Sequence, residues 1–252
     1  IMEVHHHAHT ARKKWTHYFW EFLMLFLAVF CGFLAENQRE HFVEHQREKK
    51  YAASLLEDLK KDTADLSADI PFWKDYLEKI DTLRQEIQKP ASQRNDLLLY
   101  KCARYMRAYE NFAYHDRTIV QLKNSGNFRL IRNTLLSDSL IDYEASIRSV
   151  LHDQEMQSNV IWQNLNFLQD QLINSSLYNY SKFGNTSTLD SAALKNPDII
   201  KIREGKEEVL FEYFNRLEYY KQINKYRYHT NIELLKMATN LIQMIKKEYH
   251  FK

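Results

Sequence analysis

Residues 15–35 read WTHYFWEFLMLFLAVFCGFLA, an almost unbroken apolar run in a chain that is otherwise strongly polar. At the helical rise per residue the run covers about 31 Å, the thickness of the hydrocarbon core of a bilayer. It therefore reads as a single transmembrane helix. Arg12, Lys13 and Lys14 precede it, and Trp15, Tyr18, Phe19 and Trp20 open it. Basic residues held inside, followed by an interfacial aromatic belt, orient the N-terminal arm 1–14 toward the cytoplasm. The far flank, 36–50, balances glutamates against Lys/Arg and offers no competing bias. A secretory signal peptide shares the basic start and apolar middle. Its small-x-small exit is missing, since the run leaves through Phe33-Leu34-Ala35-Glu36, and Phe30 before Cys31 does not fit a lipoprotein site. The expectation is a retained anchor.

Composition decides the rest of the fold class. The chain has 252 residues but only four glycines and three prolines, against about 12% for the two together in average proteins. Sheets consume Gly and Pro in their turns, so this depletion predicts few, long helices. No Gly or Pro occurs between Gly32 and Pro71, so one helix is expected over 14–69, leaving the membrane as a polar stalk over 36–70. Glu36, Glu40, Glu44 and Glu48 recur at four-residue spacing with Arg39 and Arg47 beside them, placing ion pairs on one face. Tyr51, Leu55, Leu59 and Leu66 form an apolar stripe in the distal part.

Pro71 suits the first turn of a second helix, with Trp73, Tyr76, Ile80, Leu83 and Ile87 at helical spacing, and Pro90 ends it. Further helices are expected over 95–113, from 116 to the Ser125-Gly126 stop, over 135–173 after the caps Asn133 and Thr134, and over 206–249. Residues 174–197, rich in Asn, Ser and Thr, read as a loop. The predicted fold is all-α: an N-terminal arm (1–14), a transmembrane helix (15–35), a stalk (36–70) and an elongated antiparallel helical bundle (71–252) outside the cytoplasm.

Charge and cysteine usage exclude several classes. A net charge of +2, with both signs interleaved, gives no footprint for nucleic acid. Cys31 lies in the membrane run, which leaves Cys102 without a partner in the same compartment and the fold without a disulfide framework. The sixteen tyrosines imply a core whose hydroxyls need partners or water.

The segments Trp20-Glu21-Phe22, Ala35-Glu36-Asn37-Gln38-Arg39-Glu40 and Leu56-Glu57-Asp58-Leu59-Lys60-Lys61-Asp62 are followed mid-chain by Leu122-Lys123-Asn124-Ser125-Gly126-Asn127-Phe128-Arg129-Leu130-Ile131. Together they resemble a family of bacterial single-pass inner-membrane proteins known only as a domain of unknown function. In that family an anchor and polar stalk precede a Ser-Gly-x-x-x-Leu-Ile element. The resemblance covers about half the chain and implies a periplasm-facing helical protein of a Gram-negative envelope. It supplies no activity. The His-rich arm and the long final helix go beyond the pattern.

Four features carry possible chemistry. Glu21 lies about 10 Å inside Lys14 by helix rise, where a carboxylate is costly unless it faces protein or marks a site. His17, one turn earlier, can hydrogen-bond it. The alternative is an ion-conducting oligomer built on Glu21. His41-Phe42-Val43-Glu44-His45 matches the H-x-x-E-H pattern of inverted zinc peptidases, but it falls on the polar stalk without a predicted pocket, so a solvated face or adventitious zinc is the simpler reading. His5, His7 and His9, with His6 beside them, form a second cluster of zinc-binding character. Tyr213, Tyr219, Tyr220, Tyr226 and Tyr228 could stack on a sugar or peptide, although bundle packing accounts for such residues more simply. No phosphate loop, nucleophile elbow or cysteine-pair metal site occurs; Ser125-Gly126 is explained by helix termination. Ala28-xxx-Gly32 supplies one small-xxx-small spacing, and the polar stalk calls for neighbours. The expected function is therefore a non-enzymatic, membrane-anchored interaction subunit, in contact with lipid and with copies of itself or other envelope proteins. A sensory subunit is the alternative.

Overall fold

A computed structural model describes residues 15–108, 112–156, 163–175 and 197–251. Every regular element among them is helical, and no strand occurs among the described residues. The helices are α1 (Trp15–Gln88), α2 (Asp96–Tyr105), α3 (Arg117–Asn124), α4 (Thr134–Met156), α5 (Gln163–Leu172) and α6 (Glu207–Tyr249). Contacts divide the chain into two units, 1–51 and 52–252.

The first unit contains the apolar start of α1. It is the described helix that is long and apolar enough to cross a membrane, and its apolar window is wholly unburied by the protein. Beyond it, Glu36 accepts two hydrogen bonds from the Arg39 guanidinium, at 2.9 and 2.5 Å. Arg39 thereby holds the Glu36 carboxyl below its ordinary value.

The second unit corrects one expectation. No helix starts at Pro71; α1 runs through it to Gln88. The reason is a seam. Ala52, Leu55, Leu59, Asp62, Leu66, Asp69, Trp73, Tyr76, Ile80, Leu83 and Ile87 alternate spacings of three and four, and all are buried. Such a repeat keeps one stripe of a helix facing its neighbours. Pro71 is exposed, off the seam, and costs about 3 kcal/mol through the lost N–H and the clash with the Ser67 carbonyl. Burial of Trp73, Tyr76, Ile80 and Leu83 contributes about 1.5–3 kcal/mol each. All four continue, past Pro71, the stripe set by Ala52 to Asp69, and a break at Asp69 would lose that common phase, so packing wins over the proline.

Helix α6 carries the matching seam. Tyr213, Leu217, Tyr220, Asn224, Arg227, Asn231, Leu234, Ala238, Leu241 and Ile245 show the same alternation and are all buried. The two helices run antiparallel. Arg84 pairs with Glu218, the Lys221 ammonium reaches Asp81 at 2.5 Å, Tyr76 meets Tyr220, and the Arg227 guanidinium stacks 4.1 Å over the Trp73 ring. α4 lies beside α6, also antiparallel: Asn133 at its start donates to Glu248 (2.6 Å), and Gln154 near its end shares a cleft with Arg227. α5 packs on α6 as well, and α2 closes over the second half of α1.

Local signals set several ends as expected. Asn133 Oδ1 accepts from the Leu136 N–H (3.1 Å) and caps α4; Gly126 takes φ +68° and stops the chain after α3. α2 ends at Tyr105, eight residues short of the expected 113, because the segment after it must turn to bring His115 onto α1. The buried tyrosines find partners. Tyr76 donates to the Met106 carbonyl (2.8 Å), Tyr100 to that of Asn174 (2.8 Å), and Tyr213 to Gln169 Oε1 (3.2 Å).

Candidate functional site

The densest polar cluster in the second unit joins α1 to the start of α3 and to α4. Asp58 and Asp62 are one turn apart on α1, so their carboxylates share a face. Asp62, only 1% exposed, accepts from the His115 backbone N–H (3.0 Å), His115 Nδ1 (2.9 Å) and the Tyr143 hydroxyl (3.0 Å). Asp58 accepts from the Thr118 backbone N–H (3.1 Å), the Thr118 hydroxyl and Arg117 Nη2 (3.1 Å). Asp116, at the N-cap position of α3, makes no side-chain cap. Asp58 takes over that duty from another helix, meeting both an orphan N–H and the positive end of the helix dipole.

Burial pushes the Asp62 carboxyl above its ordinary value, and the hydrogen bonds from His115 and Tyr143 pull it part of the way back. Burial, reinforced by the charge of Asp62, pushes the Tyr143 hydroxyl far up, so Tyr143 remains a neutral donor. With Asp62 ionised, His115 Nδ1 must carry the proton, leaving Nε2 as the basic nitrogen. The adjoining cavity, lined by Leu55, Leu59, Ile119 and Leu140 among others, has about 10 Å³ of free volume, room for one water. The arrangement serves as a clamp that fixes residues 114–118 on α1.

The residues singled out from sequence fall in different places. His17 Nε2 lies 3.0 Å from Glu21 Oε1, the expected one-turn contact. His41 and His45 share a face of α1, but His45 Nδ1 turns to Glu48 (3.2 Å). Among the described residues, no group of three or more His, Cys, Asp or Glu side chains is placed to hold a metal. His5, His7 and His9 lie outside the described residues. Tyr213 and Tyr220 are core, whereas Tyr219 and Tyr226 are exposed. Cys31 and Cys102 are both free thiols; burial pushes Cys102 up to about 11, so it is an inert thiol at neutral pH.

Two features were missed from sequence. The acidic pair Asp58 and Asp62 lies beside Leu55 and Leu59 in an otherwise apolar stripe, and that interruption was the available signal. The second is the phase of the apolar run 15–35. At 100° per residue, His17, Glu21, Met24, Ala28, Cys31, Gly32 and Ala35 fall within an arc of about 100°. Every large apolar side chain of the run other than Met24, and every Phe, Tyr and Trp, lies outside it. The Ala28 and Gly32 spacing is part of this longer stripe.

No family model, curated protein or solved structure matches the chain.

Proposed function

We propose that this chain is a non-enzymatic, membrane-anchored helical interaction subunit. Residues 15–35 span a bacterial inner membrane with the preceding arm in the cytoplasm, and the helical bundle docks on envelope proteins from the periplasmic side. The resemblance to anchored, periplasm-facing proteins points the same way.

The observation that carries this reading is the segregation of the anchor. Its large side chains are exposed over most of the circumference, as a lipid-facing surface requires. Its small and polar residues other than Thr16 gather on the remaining arc, where a second helix can approach closely and cover the His17–Glu21 pair. A carboxylate inside a bilayer costs roughly 2.5–3.5 kcal/mol on insertion scales and is ordinarily covered by protein. Small side chains at Ala28, Gly32 and Ala35 permit the close approach on which helix association in lipid depends. The anchor is thus read as one member of a helical assembly in the membrane.

The test is mild-detergent extraction from native membranes followed by native mass spectrometry. The expected result is an assembly larger than one chain, reduced to the single chain by Ala28→Leu with Gly32→Leu. A solitary monomer from native membranes ends this reading.

A sensory subunit is the second reading. It is favoured by the helical ladder of α1, which has no Gly or Pro between 36 and 70. A thermal-shift screen of the full chain against periplasmic solutes tests it; no stabilisation by any of them removes it.

A further inference from the structure

The turns of α1 just beyond the apolar run carry His41 and His45, which neither the clamp on Asp62 nor the membrane segment uses. Four residues of helix set them about 6 Å apart along the axis and about 40° apart around it, so both imidazoles stand over one patch of surface. Both are exposed. Two histidines at this spacing on one helix face can hold zinc. Spacing alone does not separate a metal site from a solvated face; the geometry of His45 does.

His45 Nδ1 lies 3.2 Å from Glu48 Oε2, and the two side chains differ sharply in exposure, 57% for His45 and 5% for Glu48. A carboxylate only accepts, so in the neutral ring the proton sits on Nδ1 and the lone pair on Nε2. Metal-binding histidines are held in this way: a carboxylate behind the ring fixes its tautomer and orientation and raises the basicity of the ligating nitrogen. A buried carboxylate has few positions open to it, so the ring it meets is held in place. The surrounding charge has the right sign as well. Residues 40–48 contain Glu40, Glu44 and Glu48 against Arg47 alone, and Arg39, just before them, is engaged by Glu36. Carboxylates at close range attract a divalent cation more strongly than a monovalent one.

We propose that His41 and His45 form a two-ligand site for an imidazole-seeking divalent cation, with Glu48 as the positioning residue behind His45. Zinc fits this chemistry, as do copper and nickel, whereas magnesium and calcium seek oxygen. Two imidazoles supply half of a tetrahedral zinc shell and water supplies the rest, so the site calls for no third side chain. The open half keeps the ion exchangeable. An ion bridging residues one turn apart also favours the helix at 41–45, because an extended chain holds the two residues about 13 Å apart. The site lies on one chain and does not depend on any assembly in the membrane.

The experiment is a zinc titration of the full chain in detergent, with 15N-labelled histidine read by NMR. His5→Ala, His6→Ala, His7→Ala and His9→Ala together form the background, which removes the competing cluster of the arm. His41→Ala and His45→Ala assign the two rings. Before zinc is added, the His45 ring must show the Nδ1–H tautomer. On titration the His41 and His45 signals must move together and saturate at one zinc per chain, with His45 shifting at Nε2. Removing either histidine must abolish the coupled shift of the other. Glu48→Gln must weaken binding about 10-fold or more. An Nε2–H tautomer at His45 with Glu48 in place overturns the proposal without recourse to any Glu48 variant. Rings that do not respond to zinc, or that respond at separate concentrations, overturn it too, as does unchanged affinity in a folded Glu48→Gln chain.

Discussion

Asp62 is a carboxylate inserted in the apolar seam of α1, and it binds its proton more tightly in the folded chain than in the unfolded one. Its contribution to stability is therefore complete below the ordinary value of 3.8 and is lost as pH rises through the elevated folded value. Glu86 has the opposite sign. The Lys89 ammonium at 2.5 Å and the Asn95 backbone N–H at 3.0 Å hold its carboxyl below the ordinary 4.5. Its contribution is present above that value and lost as pH falls through the lowered folded one. Unfolding curves of the unaltered chain, Asp62→Asn and Glu86→Gln across the acid range check both. The unaltered chain should lose ground to Asp62→Asn as pH rises, and should lose its advantage over Glu86→Gln as pH falls. Parallel curves would refute the electrostatic account. Neither residue was singled out from the sequence. Acidic residues are common on exposed helix faces, and the break that Asp62 makes in an apolar stripe does not say that a segment some fifty positions away buries it.

At the scale of elements, helices were read well wherever their signals were local. The start of α4 at Asn133, the Ser125-Gly126 stop and the bounds of α6 follow from caps, glycine and periodicity within one turn or one helix. The expected break at Pro71 was wrong because a local rule was outweighed by burial further along the helix. Since Pro71 is exposed, Pro71→Ala touches no core packing. The substitution returns an N–H to the Ser67 carbonyl and relieves the ring clash. A gain of about 1–3 kcal/mol is expected after allowing for the freer unfolded chain. It should appear as a Tm about 2–4 °C higher per kcal/mol, and a lower Tm would mean that the packing needs a proline-bent helix. α3 makes a second case. Its cap comes from Asp58 on α1, so Asp58→Ala should cost about 1–2 kcal/mol by the measure of lost caps. Hydrogen exchange should accelerate at Thr118 and the residues after it. Unchanged exchange there would show that Asp58 does not hold the helix start.

For the whole molecule, the apolar start of α1 predicts behaviour in lipid. The chain should stay in the membrane pellet after alkaline carbonate, and deletion of 15–35 should release it. Protease added to intact spheroplasts should digest the portion after residue 35; protection of that portion would reverse the proposed orientation. What the sequence determined by itself was the helical class, the apolar segment and the long final helix. Each rests on composition or on a period within a single element. Only the tertiary structure decided that α1 passes Pro71, that Asp58 and Asp62 clamp His115 and Thr118, and that α1 and α6 meet through matched seams with a polar middle. These depend on side chains from 50 to more than 150 positions apart sharing one desolvated space. The free energy of such a contact belongs to the pair, so neither residue announces it alone.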